Sequence, residues 1–415
     1  MNFKRKLWWA QHRTDVYKYG TILSLVLIVT ISIIYFTYSK FTSTNEGLVM
    51  ETTVEPFIKN DYFIASYIDG AWSNEIPGKD DGYAVDKVVC DNGAVGTWDN
   101  DEWGINIRNA MQKVKCGVYF YKLTTAKQIE AIASADITNI STDDPDDNTR
   151  YIGKDPNNYV YFNCSDYLNQ SDSTCEKWRI IGVFKNVTKE DGTKEDLVKI
   201  IKEDIIKQDS IIDNGYVRLD RSANDWSKAS LQTTLNGTYY NGTYSTTAFK
   251  NDSTRNAIES VVWNLGGTAD YQSSNNGLAS HFYSYERGTT VYIGRPTTWI
   301  GKVGLMYPSD YGYATAGGST TDRATCLAKE MYSWSSASDC YSNDYLYKSS
   351  YWQWTLTPNS SDSTHEFVVS MKDGSVYAES VNAPVTARPV VYLKSSILIL
   401  TGDGTSSNPY RLSVN

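Results

Sequence analysis

The sequence predicts the α+β class: a single N-terminal transmembrane helix, a small disulfide-linked β-sandwich, and a larger α+β domain with long loops. Three observations carry this. An uncharged apolar run spans Gly20–Tyr38, all six cysteines lie after it, and the chain beyond it alternates strand-like stretches with turn residues. The expected boundaries are a tail at 1–18, an anchor at 19–39, a stalk at 40–56, a β-domain at 57–123, a helix with an acidic linker at 124–149, and the α+β domain at 150–413.

The run GTILSLVLIVTISIIYFTY matches the ~20 residues an α-helix needs to cross a ~30 Å hydrocarbon core. Lys4, Arg5, Lys6, Arg13 and Lys18 precede it, which places the N-terminus in the cytoplasm and the later domains outside the cell. A cleaved signal peptide has a shorter apolar core followed by small residues. Here Tyr35, Phe36 and Tyr38 close the run, as rings do at a membrane interface.

The net charge is −9, which excludes a nucleic-acid partner built on clustered Lys and Arg. The chain carries 32 tyrosines and 12 tryptophans, residues that serve β-rich cores and ligand surfaces alike. Six cysteines on the outer side read as disulfides, and pairing in sequence order gives Cys90–Cys116, Cys164–Cys175 and Cys326–Cys340. No C-x-x-C occurs, and His12, His281 and His365 are the only histidines, so a Cys/His zinc site is not expected.

Between Phe57 and Lys122, FIASYI, YAVDKVVC, WGINIR and CGVYFYK read as strands punctuated by turn pairs such as Asn92-Gly93. Thr125–Ala135 reads as a helix. Ser141–Asn148 is an acidic stretch that suits a solvated linker, with cation binding as its alternative. YVYFN, KWRIIGVF and LVKIIKED are strands. Asp225/Ser227 is a cap for a helix through Leu231 and Leu235 that Asn236-Gly237 closes. Ser253 caps a second helix, Thr254–Asn264, with a stripe of Ile258, Val261, Val262 and Leu265. HEFVVSMKDGSVYAE is a hairpin around Asp373-Gly374, a type I′ pair. RPVVYLK is a last core strand.

Trp178–Phe184, the W-x-x-A-S-L-x-x-x-L-N stretch from Trp226 to Asn236, W-T-L-T-P at Trp354–Pro358, D-G-S-V at Asp373–Val376 and R-P-V-V-Y-L at Arg388–Leu393 follow in that order. This resembles an uncharacterised bacterial cell-surface domain similar to the formylglycine-generating-enzyme branch of C-type-lectin-like folds. W-D-N-D-E-W-G-I-N-I (Trp98–Ile107) resembles a small companion β-domain. The resemblance implies a C-type-lectin-like fold for 150–413. It carries no activity: the enzyme's cysteine pair near the C-terminus has no counterpart, and neither do the lectins' sugar-binding triplets.

Among candidate sites, Asp99, Asp101 and Glu102 gather oxygen ligands that suit calcium; as Asx-type residues they equally close a turn. Calcium is the one cofactor these residues suggest. Trp352, Trp354 and Leu356 alternate as a core face. Tyr345, Tyr347 and Tyr351 are surface ligand-binding candidates. Arg388 is either a buried ion-pair partner or a ligand clamp. A hydrolytic triad would need His281 or His365, and no G-x-S-x-G surrounds a serine. The leading expectation is a non-catalytic binding or adhesion protein with a protein or glycan ligand at the cell surface. The alternatives are an extracytoplasmic hydrolase or modifying enzyme and a structural subunit of a surface assembly.

An antibody to residues 1–15 should detect the full-length protein in the membrane fraction. A mature chain that starts near residue 42 would refute the uncleaved anchor.

Overall fold

The computed structural model describes residues 62–79, 81–110, 113–136, 138–207 and 215–414. The expected anchor at 19–39, with its tail and stalk, lies outside them. No helix among the described residues is long and apolar enough to cross a membrane. The chain is a mixed α/β protein with several sheets, few helices and three disulfides, and it divides into two compact units after Lys122.

The first unit contains β1 (Tyr62–Ile68), β2 (Ala71–Ser73), β3 (Tyr83–Cys90), β4 (Val95–Asp99), β5 (Gly104–Arg108) and β6 (Val114–Lys122). A four-stranded sheet runs β2-β1-β6-β3, and β4-β5 is a separate ribbon. Strand β6 shows the period of two that a half-buried strand requires: Val114, Cys116, Val118 and Phe120 are buried, while Lys115 is exposed and Gly117, Tyr119 and Tyr121 are half-buried. The buried face packs with Ala94 and Ile105 from the ribbon segment. Cys90 and Cys116 are directly paired residues of β3 and β6 and form a disulfide. The sheet is mixed, because β1 runs parallel to β6.

The second unit opens with α1 (Thr125–Ala135), whose first turn is capped by Thr124 Oγ1 accepting from Lys127 N–H at 3.2 Å. Its strands are β7 (Ile140–Ser141), β8 (Thr149–Tyr151), β9 (Tyr159–Phe162), β10 (Glu176–Thr188), β11 (Lys194–Lys202), β12 (Tyr216–Val217), β13 (Ile258–Glu259), β14 (Val261–Asn264), β15 (Thr298–Gly301), β16 (Val303–Gly304), β17 (Gln353–Pro358), β18 (His365–Val369), β19 (Val376–Ser380), β20 (Val385–Thr386), β21 (Val390–Leu393), β22 (Ile399–Thr401) and β23 (Arg411–Leu412). The main sheet runs β13-β21-β11-β10-β8-β7, with β9 paired to β10 and β16 to β21. A second sheet runs β12-β20-β17-β18-β19. Helices α2 (Ala279–Glu286) and α3 (Pro308–Ala314) and shorter turns fill the connections. Strands β10, β11, β17 and β21 are buried on both faces along most of their length, and β10, β11 and β21 read accordingly as near-continuous apolar runs, whereas β17 alternates with buried Gln353, Thr355 and Thr357.

Four expectations are corrected here. The stretch Thr254–Asn264 is not one helix: a turn of helix at Asp252–Asn256 gives way to β13 and β14. Residues 258, 261, 262 and 265 fit a helical stripe, but β-branched Val261 and Val262 with Trp263 alternate across a strand paired to β15. Asn236-Gly237 does not close a helix, since a π-helical turn continues through Leu235–Tyr239. Asn236 instead brackets Val303, accepting from its N–H and donating to its carbonyl. Strands β18 and β19 do form a hairpin, yet they are joined through Ser370–Ser375 and not by a two-residue turn.

The fourth correction is the acidic stretch Ser141–Asn148, which is not a solvated linker. Asp144 and Asn148 are buried, because a cation needs them. Arg150 on β8 donates to Asp144 Oδ2 at 2.5 Å and to Asp310 Oδ1 at 3.1 Å. Lys199 on β11 donates to Asp310 Oδ2 at 2.6 Å. All four charged groups are almost wholly removed from solvent. Rings of Phe184, Tyr307 and Tyr392 surround the Lys199 ammonium at 4.6, 4.5 and 5.5 Å. Burial raises the Asp310 carboxyl, but Lys199 and Arg150 outweigh it and hold it below the ordinary range. Burial pushes Lys199 down to about 8. Removing one partner of such a buried pair leaves an uncompensated charge, so Asp310→Ala should cost ~3–5 kcal/mol, read from denaturant unfolding.

Beside this cluster, Glu286 at the end of α2 accepts from Ser309 N–H at 3.0 Å, and burial pushes its carboxyl up to about 7. The folded state therefore holds a proton that the unfolded chain releases near the ordinary carboxyl value of 4.5. Stability from this group falls as pH rises from about 4.5 to about 7, by ~3 kcal/mol. Glu286→Gln should flatten that slope in unfolding curves measured across this window.

Candidate binding cleft

The three tyrosines singled out from sequence line one cleft of the second unit, of about 660 Å³, and Arg388 lies behind it. The end of β10 supplies Arg179, the residue after β11 supplies Glu203, and the loop before β17 supplies Tyr345, Tyr347, Lys348 and Tyr351. Tyr159 on β9 completes one wall, and its ring lies 3.7 Å from the Arg179 guanidinium.

The floor is built on one carboxylate. Lys348 Nζ meets Glu203 Oε1 at 2.5 Å, Arg388 Nη2 meets Oε2 at 3.6 Å, and Arg179 Nη1 meets Oε2 at 3.9 Å. Burial would raise the Glu203 carboxyl, yet Arg388, Lys348 and Arg179 together hold it below the ordinary range. Burial, with Arg388 as a like-charged neighbour, lowers Lys348 to about 8. Asp344 is fully buried and its carboxyl is pushed well above the usual range. On the lining, Lys154, Arg179 and Lys348 stand against Asp155, Glu203 and Asp204, with Arg388 behind them reaching Glu203. The site is aromatic-walled, and its cations are gathered on the one carboxylate of Glu203.

The individual candidates fall differently. Tyr345 is not a surface residue: it is 3 % exposed, its hydroxyl reaches the Ile180 carbonyl at 3.4 Å, and its ring backs the Arg179 guanidinium at 5.0 Å. Its buried position follows from Arg179, whose charge sits between two rings. Tyr347 and Tyr351 are half-buried at the wall, and the Tyr347 hydroxyl donates to the Met371 carbonyl at 2.7 Å. Arg388 is buried behind the cleft and is committed to structure. It donates to the carbonyls of Lys202 and Leu346 at 2.8 and 3.2 Å and to Gln353 Oε1 at 3.1 Å. Trp354 and Leu356 lie in the core.

Sequence reasoning did not find Arg179, Glu203 or Lys348. The available signal was a charge inside W-R-I-I and a Lys-Glu pair closing an apolar strand, since charges inside core strands must be paired.

The remaining candidates lie elsewhere. Asp99 Oδ1 accepts from the N–H groups of Asp101 and Glu102 at 2.9 and 3.0 Å, closing the β4–β5 turn. Among the described residues no three His, Cys, Asp or Glu side chains gather to hold a metal ion. His365 Nδ1 lies 2.8 Å from Asp362 on the rim of the second sheet, and His281 Nδ1 accepts from Leu278 N–H at 3.4 Å in the first turn of α2. Neither lines the cleft. Cys164–Cys175 and Cys326–Cys340 are joined, as sequence order predicts. No protein-family model, curated protein or solved structure matches this chain.

Proposed function

We propose that this chain is a membrane-tethered surface protein that binds an acidic glycan without transforming it. The reading takes its location from the apolar run at 19–39, with the N-terminus cytoplasmic and the later domains outside the cell. It takes the character of 150–413 from the likeness to C-type-lectin-like folds. Three disulfides and no free cysteine among the described residues suit an oxidising exterior.

One observation carries the choice of ligand: three cations converge on the single carboxylate of Glu203 at the floor of a concave, tyrosine-walled cleft. A ligand carboxylate entering there meets Lys348, the most exposed of the three cations. Tyrosine rings offer faces for the C–H side of a sugar ring and hydroxyls for its polar edge. Ser349 and Ser350 are exposed beside them and add hydroxyls at the rim. A concave site of this volume suits a short glycan better than a flat protein epitope.

The full chain in detergent micelles, applied to an array of acidic and neutral glycans and acidic peptides, should retain acidic glycans. Lys348→Met should weaken that binding about 10- to 100-fold, the worth of one charge-assisted contact, with little change in melting temperature. An anion binds the protonated amine, so affinity should fall as pH rises through about 8. Between pH ~7 and ~9 the loss should approach about tenfold by calorimetry, and Lys348→Met should abolish the pH dependence. Retention of peptides only, or turnover of a generic ester or glycoside by the native chain, would overturn the proposal.

A further inference from the structure

The second unit has another recess, of about 360 Å³, that shares no lining residue with the cleft. It lies between the acidic turn before β8, the far end of β10, β14, and the residues that end α2. We propose that this recess is a second ligand site and that it takes an uncharged sugar ring.

The interior is aromatic. Trp263, Tyr307 and Tyr392 line it, and the same rings surround the buried Lys199 ammonium. They are therefore fixed in place by the charge cluster behind them. Tyr307 is tied further: its hydroxyl donates to the Asn264 carbonyl and accepts from the Asn264 N–H, both at 3.0 Å. Trp263, Tyr307 and Tyr392 are 1, 3 and 7 % exposed, so they form a closed, rigid floor whose ordering cost is already met by the fold.

One wall is a fixed polar lattice. The Tyr283 hydroxyl donates to Asp146 Oδ2 at 2.5 Å and accepts from Asn148 Nδ2 at 2.9 Å. The Arg287 guanidinium lies over the Tyr283 ring at 3.3 Å and 3.9 Å from Asp146. Charges on the lining balance, with Asp146 and Asp147 against Lys185 and Arg287. An ion of either sign gains little here.

The rim carries uncommitted hydrogen-bonding groups. The side chains of Asn186, Thr188 and Asn264 line the recess, and none is engaged by another described residue. Two of the lining residues also hold unusual backbone: Asn186 and Asp147 have φ of +54° and +51°. Asn186 sits where the β10–β11 register shifts between Phe184 and Val187, a bulge that re-aims the strand beside the recess. Such left-handed, non-glycine positions persist where surrounding structure over-determines them. A rigid apolar floor, balanced charge and several neutral donors and acceptors together select a polyhydroxylated, uncharged ligand over a carboxylate, a phosphate or an amine.

The test uses the full chain in detergent micelles with glucose, galactose and N-acetylglucosamine as probes at millimolar concentration. Saturation-transfer NMR should show at least one of them bound. Asn186→Gly keeps the left-handed backbone and removes the amide, so it leaves the fold intact. Combined with Asn264→Ala it should weaken the binding about tenfold, the worth of one to two neutral hydrogen bonds. Lys348→Met should leave the binding unchanged, which separates this site from the acidic-glycan reading of the cleft. No sugar bound by the native chain, or sugar binding lost in Lys348→Met and kept in the double variant, would overturn the proposal.

Discussion

The second unit depends on Asp310. One buried carboxylate at the start of α3 neutralises both Arg150 on β8 and Lys199 on β11, two cations that the main sheet carries into its core. Its Oδ2 also accepts from Tyr307 N–H at 2.9 Å, which caps the helix that brings it there. The pairing fixes where α3 lies against the sheet, because no other position satisfies both cations at once. Asp144 supplies the second carboxylate for Arg150, and that requirement draws the acidic turn inward. Buried ion pairs are weak evidence for net stability, since desolvation opposes their attraction. Their effect here is specificity of arrangement: a sheet with two buried cations tolerates only a packing that delivers carboxylates to both.

The same cluster shapes the surface. Arg150 and Lys199 lie against Phe184, and Lys199 lies against Tyr307 and Tyr392, so each cation also orders rings. Three of those rings line the smaller recess. At the other end of β10 and β11, Arg179 and Glu203 repeat the pattern with Tyr159 and Tyr345. A charged residue in a core strand thus recurs with an aromatic partner and a carboxylate. The two recesses lie beside these two clusters, where polar groups come closest to the surface.

This explains what the sequence disclosed. Strands with a clean alternation or an unbroken apolar run, such as β6, β10 and β21, were legible because periodicity alone specifies them. The disulfides were legible because each pair is close in sequence. The helix expected over Thr254–Asn264 failed because four apolar positions fit two periods, and pairing with β15 and β21 decided between them. The acidic turn was misread for a deeper reason. Asp144 looks solvated until Arg150 and Asp310 are known to meet, and residue 310 is far along the chain.

The cleft was half legible for the same cause. Tyr345, Tyr347 and Tyr351 stand together in sequence, so their density marked the place. What gives the cleft its chemistry is the meeting of Arg179, Glu203 and Lys348, three residues from separate segments joined only by tertiary pairing. Arg388 shows the limit of reading a charge by itself. Its guanidinium has four acceptors, three of them already hydrogen-bonded in the core, and only the Glu203 contact faces toward the cleft. Its charge helps hold the Glu203 carboxyl below the ordinary range and, with burial, lowers the Lys348 amine. A buried arginine that cannot lose its proton leaves Lys348 as the group whose charge responds to pH, and that places the pH response of the cleft on a residue 40 positions earlier in the chain.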